Sequence, residues 1–463
     1  MNAPLSGQPA PIAHIVKGQY VEGGALSYGP PHARFATPRL ILDELVWPRR
    51  ELTPAFDIPV AEVMDVLVAT GDRLSRDPEG VLAEALTQSV RTNPLPAALI
   101  ERCYAKLGEM FNRASLEFQV NQELGGADIL DGWREVETPR GIPARMRAIP
   151  PRLIHIIAGN GPGVAAQTII RGALTKGVHL IKLPSNDLLT GTAILRALAA
   201  AAPGHPLTRS FSAVYWRGGD DEVERALFRP QYFDKVVAWG GESAIRSVVK
   251  YLGPGFELVA FDPKSSVSFI GREAFASEAS LAQAVECGAS DATILNQQAC
   301  SSSRFQFVEG APDEIDLYCE RLQAALGVER PVATAVGAPL TGDLKDEIMG
   351  LRDLDPIYRV WGAADGRGLV VRSDEPVDFY PDGKVVNVVR VERLEDAIRH
   401  INVATQTVGV YPAARKAALR DRIASAGAQR VVTLGAAGSS QAGLSHDGFM
   451  PLQRFVRWVN DEG

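Results

Sequence analysis

The chain has 463 residues, of which 46% are hydrophobic and 22% charged, an ordinary balance for a globular protein and enough length for two or three domains. A net charge of −7 argues against a general nucleic-acid surface, which needs a basic excess, and no apolar run reaches the ~18 residues of a membrane span. Four cysteines, Cys103, Cys287, Cys300 and Cys319, lack zinc-ligand or CxxC spacing and no secretory signal opens the chain, so reduced thiols, no metal and a cytoplasmic location are expected.

In chain order, residues 1–50 are rich in Pro and Gly and read as an arm or irregular strands. Helical periodicity covers 61–68 and continues toward 82–89; a second helical stretch covers 97–111 and then 113–121. Residues 133–149 hold two short extended runs around Pro139-Arg140-Gly141, which predicts a hairpin. Its sides are too polar for a core, so pairing with another subunit is the expectation. From Arg152 strand and helix alternate. Strands fall at 153–157, 178–183, 213–216, 235–238 and 257–261, with helices at 164–175, 188–201 and 244–252. Continuous apolar strands in that alternation predict a parallel, doubly wound sheet that binds ligands at its carboxyl ends.

A second α/β pattern follows Asp262. Its strands are predicted at 266–270, 305–308, 369–371, 385–391, 407–411 and 430–433, its helices at 281–288, 313–326, 394–401 and 414–424. Residues 443–454 read as a loop that runs into a helix rich in Phe, Val and Trp. The expected domains are 1–261, with the hairpin at about 133–149, then 262–440, and a return segment, 441–463.

Cys300 stands in Asn296-Gln297-Gln298-Ala299-Cys300-Ser301-Ser302-Ser303, a polar setting that suits a reactive thiol. Gly159-Asn160-Gly161-Pro162-Gly163 follows a strand and opens a helix, where backbone amides favour a phosphate, although the pattern is not GxGxxG. A plain strand–helix turn is equally compatible with it. Asn160 adds an amide that could donate to an oxyanion. Lys182 ends the next strand and is followed by Ser185, a pair that suits a 2′-phosphate, against the reading of a solvated lysine. Gly240-Gly241-Glu242-Ser243 is a further strand–helix loop that reads either as a capped turn or as a ligand loop. His446, in Ser445-His446-Asp447-Gly448, reads as surface or structural, and Cys103 as a core residue.

Together these pieces resemble the aldehyde dehydrogenase superfamily, and more closely its LuxC-type acyl-CoA reductases. The resemblance rests on His155 to Asn160, Leu180-Ile181-Lys182, Val214-Tyr215-Trp216, Ala238 to Glu242, Gln297 to Cys300, and His446-Asp447-Gly448 with Pro451 to Arg454. It spans about residues 150 to 460 and is poor over the first 130. It implies two Rossmann-like α/β domains and an oligomerisation hairpin. It also implies Cys300 as nucleophile, Asn160 as oxyanion donor, Lys182 on the adenosine ribose, and Gly240, Gly241 and Glu242 near the pyrophosphate.

Two departures from the family pattern carry information. Ser185 replaces a Glu that binds the ribose diol in hydrolytic members, which favours NADPH. Ala260 stands where aldehyde-oxidising members carry a general-base Glu, and without a base an acyl-enzyme is not hydrolysed. The expected reaction is therefore NADPH-dependent reduction of an acyl-CoA, fatty acyl above all, to the aldehyde through an S-acyl cysteine. The acyl donor could be CoA, a carrier protein or an acylated partner, and a homo-oligomer is expected. Two alternatives stay open: an acid-producing aldehyde dehydrogenase with its base from Glu242 or Asp262, and a non-redox acyl-carrying subunit of a fatty acid reductase complex.

Overall fold

The computed structural model describes residues 9–463, with His32 described by its backbone alone. The chain divides into two compact units. One takes in the chain up to Asn93 together with Cys103–Asp262 and Gln441–Gly463; the other takes in Pro94–Arg102 and Pro263–Ser440.

The first unit is built on a seven-stranded sheet in the order Glu257–Phe261, Lys235–Trp239, Arg152–Ile156, Val178–Lys182, Phe211–Val214, His14–Val16, Gln19–Val21. The first five strands run parallel. The last two are antiparallel, so part of the N-terminal arm extends this sheet. Leu153, Ile154, Leu180, Ile181, Val236 and Val237 are all buried, as strands covered on both faces require. Three histidines belong to the buried set. His14 accepts from the Tyr215 backbone N–H at 3.1 Å, and His155 and His179 meet ring nitrogen to ring nitrogen at 3.0 Å.

The second unit repeats the plan. Its sheet runs Arg359–Trp361, Leu369–Ser373, Val385–Val391, Ser303–Glu309, Ser265–Ile270, Thr405–Tyr411, Arg430–Thr433. Only the first strand is antiparallel to its neighbour. Helices Glu278–Ala292 and Pro312–Leu326 bury Ala284, Ala289, Ile315 and Leu322 in one core cluster with Val370, Val386 and Val388.

The structure differs from the sequence expectations at four places. The helix expected to continue from 61 toward 89 is two helices, Val60–Arg76 and Val81–Thr92. Asp77 separates them in left-handed backbone at φ 40°, and its carboxylate caps the second by accepting from Leu82 and Ala83 at 3.0 and 2.8 Å. The stretch 97–111 ends as α-helix at Ala105 and resumes as the 3-10 turn Gly108–Phe111, and 394–401 is a 3-10 helix, Leu394–His400. The predicted C-terminal helix shrinks to Pro451–Phe455; the chain beyond it is the strand Arg457–Glu462. That strand pairs antiparallel with Ala144–Ile149, which also pairs with Arg134–Val136, so the hairpin is part of a three-stranded sheet. Period-2 burial is too weak in Arg457–Glu462 to announce a strand; its partner makes it one.

Candidate active site

In the first unit the strand ends fall level. Ile156 pairs with Lys182, Lys182 with Val214, and Ala238 with Ile156, so the loops that follow share one edge of the sheet. The loop holding Asn160 is fixed through the Gly159 carbonyl, which accepts from Asn93 Nδ2 at 2.7 Å and Asn186 Nδ2 at 2.9 Å. Asn186 is itself tied by Thr92 Oγ1, which donates to its carbonyl at 2.9 Å. A Cβ at Gly159 would stand 2.1 Å from Asn186 Oδ1, so only glycine fits under this clamp. Asn160 is half-buried and follows the clamped peptide directly.

Lys182 is half-buried at its strand end, its ammonium 5.6 Å from the Trp216 ring centroid and 5.8 Å from that of Tyr215. Burial pushes its pKa below the usual lysine value, and Glu224 opposes that shift. Glu224 is buried and accepts from Trp216 Nε1 at 3.2 Å and the Gly219 N–H at 3.1 Å. Ser185 is exposed. Gly241 caps helix Glu242–Val249 without a side-chain cap, and a Cβ there would meet nothing within 4 Å. Glu242 is exposed and paired with Arg246 one turn on. This edge presents a half-buried cation, room over bare backbone, and an open helix N-terminus, features that favour a phosphate-bearing ligand.

His446 is half-buried and packed within the first unit, in keeping with the structural half of its reading. Its Nδ1 lies 3.2 Å from Arg171 Nη2, and its ring packs on Trp239 and Phe261 at 5.2 and 5.0 Å. Burial lowers the Arg171 pKa to about 10, against the opposing charges of Glu123 and Asp447.

In the second unit Cys300 follows the turn Ile294–Gln297 and precedes strand Ser303–Glu309. It is exposed, whereas Cys319 is buried and Cys103 and Cys287 are intermediate. Burial raises the thiol pKa of Cys287 and of Cys319, which favours the neutral thiol over the reactive thiolate in both. The backbone ahead of Cys300 is unusual. Leu295, Asn296 and Gln297 all adopt left-handed φ, at 49°, 51° and 74°, a conformation costly for residues other than glycine. Buried side chains hold it there. Asn296 exchanges bonds with Thr334 at 2.7 and 2.9 Å, Gln297 with Val385 at 2.7 and 3.1 Å, and Arg304 donates to the Gln297 carbonyl at 2.5 Å.

The thiol has a donor of its own: Gln406 Nε2 lies 2.9 Å from Cys300 Sγ. Ser266 Oγ donates to the Cys300 carbonyl at 2.8 Å and accepts from the Thr407 N–H at 3.1 Å. Sequence reading passed over Gln406, Ser266, Asn93 and Asn186. Only Gln406 left a trace, as the polar run Thr405-Gln406-Thr407 in an otherwise apolar strand. Among the described residues no group of His, Cys, Asp and Glu is placed to hold a metal, and no helix is long and apolar enough to cross a membrane.

Two largely parallel sheets with loops at their carboxyl ends, one bearing two glycine loops and Lys182 and the other an exposed cysteine, match the aldehyde-dehydrogenase fold. A solved NADP-dependent glyceraldehyde-3-phosphate dehydrogenase from Bacillus halodurans has that fold, with a TM-score of 0.70 over 98% of this chain and 99% of its own at 14% identity. Within it the chain belongs to the LuxC family of acyl-CoA reductases, whose model matches residues 55–333 and 361–458, and it is an acyl thioester reductase. Relatives named long-chain acyl-protein thioester reductase include one from Vibrio harveyi, 27% identical over 88% of this chain and 83% of its own. Another, from Photorhabdus luminescens, is 30% identical over 74% of this chain and 69% of its own.

Proposed function

We propose that this protein reduces a long-chain fatty-acyl thioester to the aldehyde through an S-acyl intermediate on Cys300, with NADPH as reductant. The exposed Cys300 thiol, with an amide N–H 2.9 Å from its sulfur, carries the reading. The thiolate attacks the acyl carbonyl; a C–S bond forms and the carbonyl electrons move to oxygen. The Asn160 amide and the Cys300 backbone N–H hold that oxyanion. Collapse expels the donor thiolate and leaves the acyl group on sulfur. When bound, the reduced nicotinamide supplies the hydride. In the resulting thiohemiacetal the C–S bond breaks, sulfur takes the electron pair, and the aldehyde departs. Ala260, inside strand Glu257–Phe261, offers no carboxylate to activate water, which favours reduction over hydrolysis.

Lys182 and Ser185 would hold the adenosine ribose with its 2′-phosphate, and Gly240, Gly241 and Glu242 would border the pyrophosphate. The names of the relatives favour an acylated protein as donor beside acyl-CoA. Exposed Val136 and Trp458 on the three-stranded sheet, with exposed Trp133 and Ile142 in the chain flanking its strands, support pairing with a second copy. A reactive thiol also suits the reducing cytoplasm.

Intact-mass measurement after mixing with acyl-CoAs and acylated carrier protein tests the proposal. The expected result is one acyl adduct, on Cys300, that disappears in Cys300→Ala and is cleared by NADPH faster than by NADH. An adduct undiminished in Cys300→Ala would overturn the mechanism.

A further inference from the structure

The sheet of the second unit is regular except at one place. Ser265 pairs with Thr405 but Val267 with Val408, so strand Thr405–Tyr411 holds an extra residue at 406–407. Across the other edge of the same strand, Ser266 pairs with Ser303 but Val267 with Phe305, so strand Ser303–Glu309 also holds an extra residue, at Arg304. Two bulges thus flank Ser266. A bulge breaks the alternation of faces and re-aims a side chain, and parallel strands rarely carry one.

The bulges bring two groups to Cys300. Ser266 Oγ links the Cys300 carbonyl to the Thr407 N–H, fixing the cysteine's backbone beside the residue that follows Gln406. Gln406, itself buried, reaches Cys300 Sγ at 2.9 Å. Gln406 Oε1 accepts from Thr407 Oγ1 at 3.4 Å, and Nε2, the donor, faces sulfur.

We propose that Gln406 is a catalytic residue, donating its amide N–H to the Cys300 sulfur and stabilising the thiolate both as nucleophile and as leaving group. This rests on the acyl-enzyme reading above. A neutral donor fits both steps. When the thiol ionises, its proton passes to solvent and the N–H bonds the sulfur lone pair. When the thiohemiacetal collapses, the C–S electron pair returns to sulfur against the same N–H. A lysine or protonated histidine would favour the thiolate more strongly but weaken its nucleophilicity as the pKa fell.

The pH profile of iodoacetamide alkylation at Cys300, read by mass on its own peptide, tests this without any acyl donor or cofactor. Gln406→Leu should move the midpoint up by about one pH unit, because a bond to the charged form is lost. Gln406→Glu keeps the shape but replaces the donor by a carboxylate, and should move it further. If Gln406 only fills space, Gln406→Leu will keep the wild-type midpoint and differ in melting temperature alone, even though the Gln406→Glu carboxylate still raises the midpoint by repulsion; that outcome, or an unchanged midpoint in both, overturns the proposal. Acylation by acyl-CoA is then measured separately. Shifted midpoints with no acyl adduct in wild type would sink the acyl-enzyme reading and leave the role of Gln406 at the sulfur intact.

Discussion

The two seven-stranded sheets share a plan and hold their loops by opposite means. In the first unit the strands are regular, and side chains clamp a loop from outside: Asn93 and Asn186 converge on the Gly159 carbonyl. In the second the backbone itself is bent, through two bulges beside Ser266 and three left-handed residues before Cys300. The difference fits the tasks proposed for the two units. A dinucleotide needs bare backbone and room, so the groups that position its loops stand back. A nucleophile must be aimed to fractions of an ångström, and a distorted backbone with its side-chain bonds satisfied gives that stiffness.

The contrast can be broken at several points. Asn160→Ala should show the largest effect, a loss of roughly 100- to 1000-fold in single-turnover reduction, as for other lost oxyanion donors. A loss under tenfold would move the oxyanion site elsewhere. Next come two buried groups whose pH responses run in opposite senses. Burial lowers the pKa of His14, in the first unit, to about 4. Between that value and its unfolded 6.5 the unfolded chain binds a proton that the folded chain refuses, so stability falls as pH drops through this window. Burial raises Asp291, in the second unit, to about 6, so its contribution is lost as pH rises from 3.8 through 6. Urea unfolding at pH 5 and 7 should show His14→Gln losing less stability in acid than wild type, by about 2 kcal/mol. Asp291→Asn should do the reverse, gaining at pH 7 relative to wild type by a similar amount.

Three smaller effects sharpen the first-unit side. Lys182→Ala should raise the KM for NADPH about tenfold with kcat nearly unchanged, the mark of a binding contact. Ser185→Glu should shift steady-state preference toward NADH by repelling the 2′-phosphate. Asn186→Ala, which removes one of two donors to the Gly159 carbonyl, should cost only a few-fold in kcat, about 1 kcal/mol. If it matched the loss in Asn160→Ala, the clamp and not the amide would dominate the site.

Most of the parallel framework was legible in the sequence because strands such as Arg152–Ile156 and Val385–Val391 are buried on both faces and must be apolar. Cys300 was legible by its polar neighbours, and Lys182 by its place at a strand end. The clamp was not: Asn93 stands 66 residues from Gly159, and nothing local marks it. Nor were the bulges beside Ser266, since register is decided by the neighbouring strand and not by the residues of one. Arg457–Glu462 failed as a helix for the same reason, taking its form from Ala144–Ile149.

That last pairing has a consequence for synthesis. Glu462 meets Ala144, and the Leu452 N–H meets the Glu123 carboxylate at 2.5 Å, across more than three hundred residues. Residues 263–440 of the second unit all leave the ribosome between those partners. The second unit can therefore mature on the nascent chain while the first waits, its hairpin two-stranded and one edge exposed to unwanted pairing until residues 457–462 arrive.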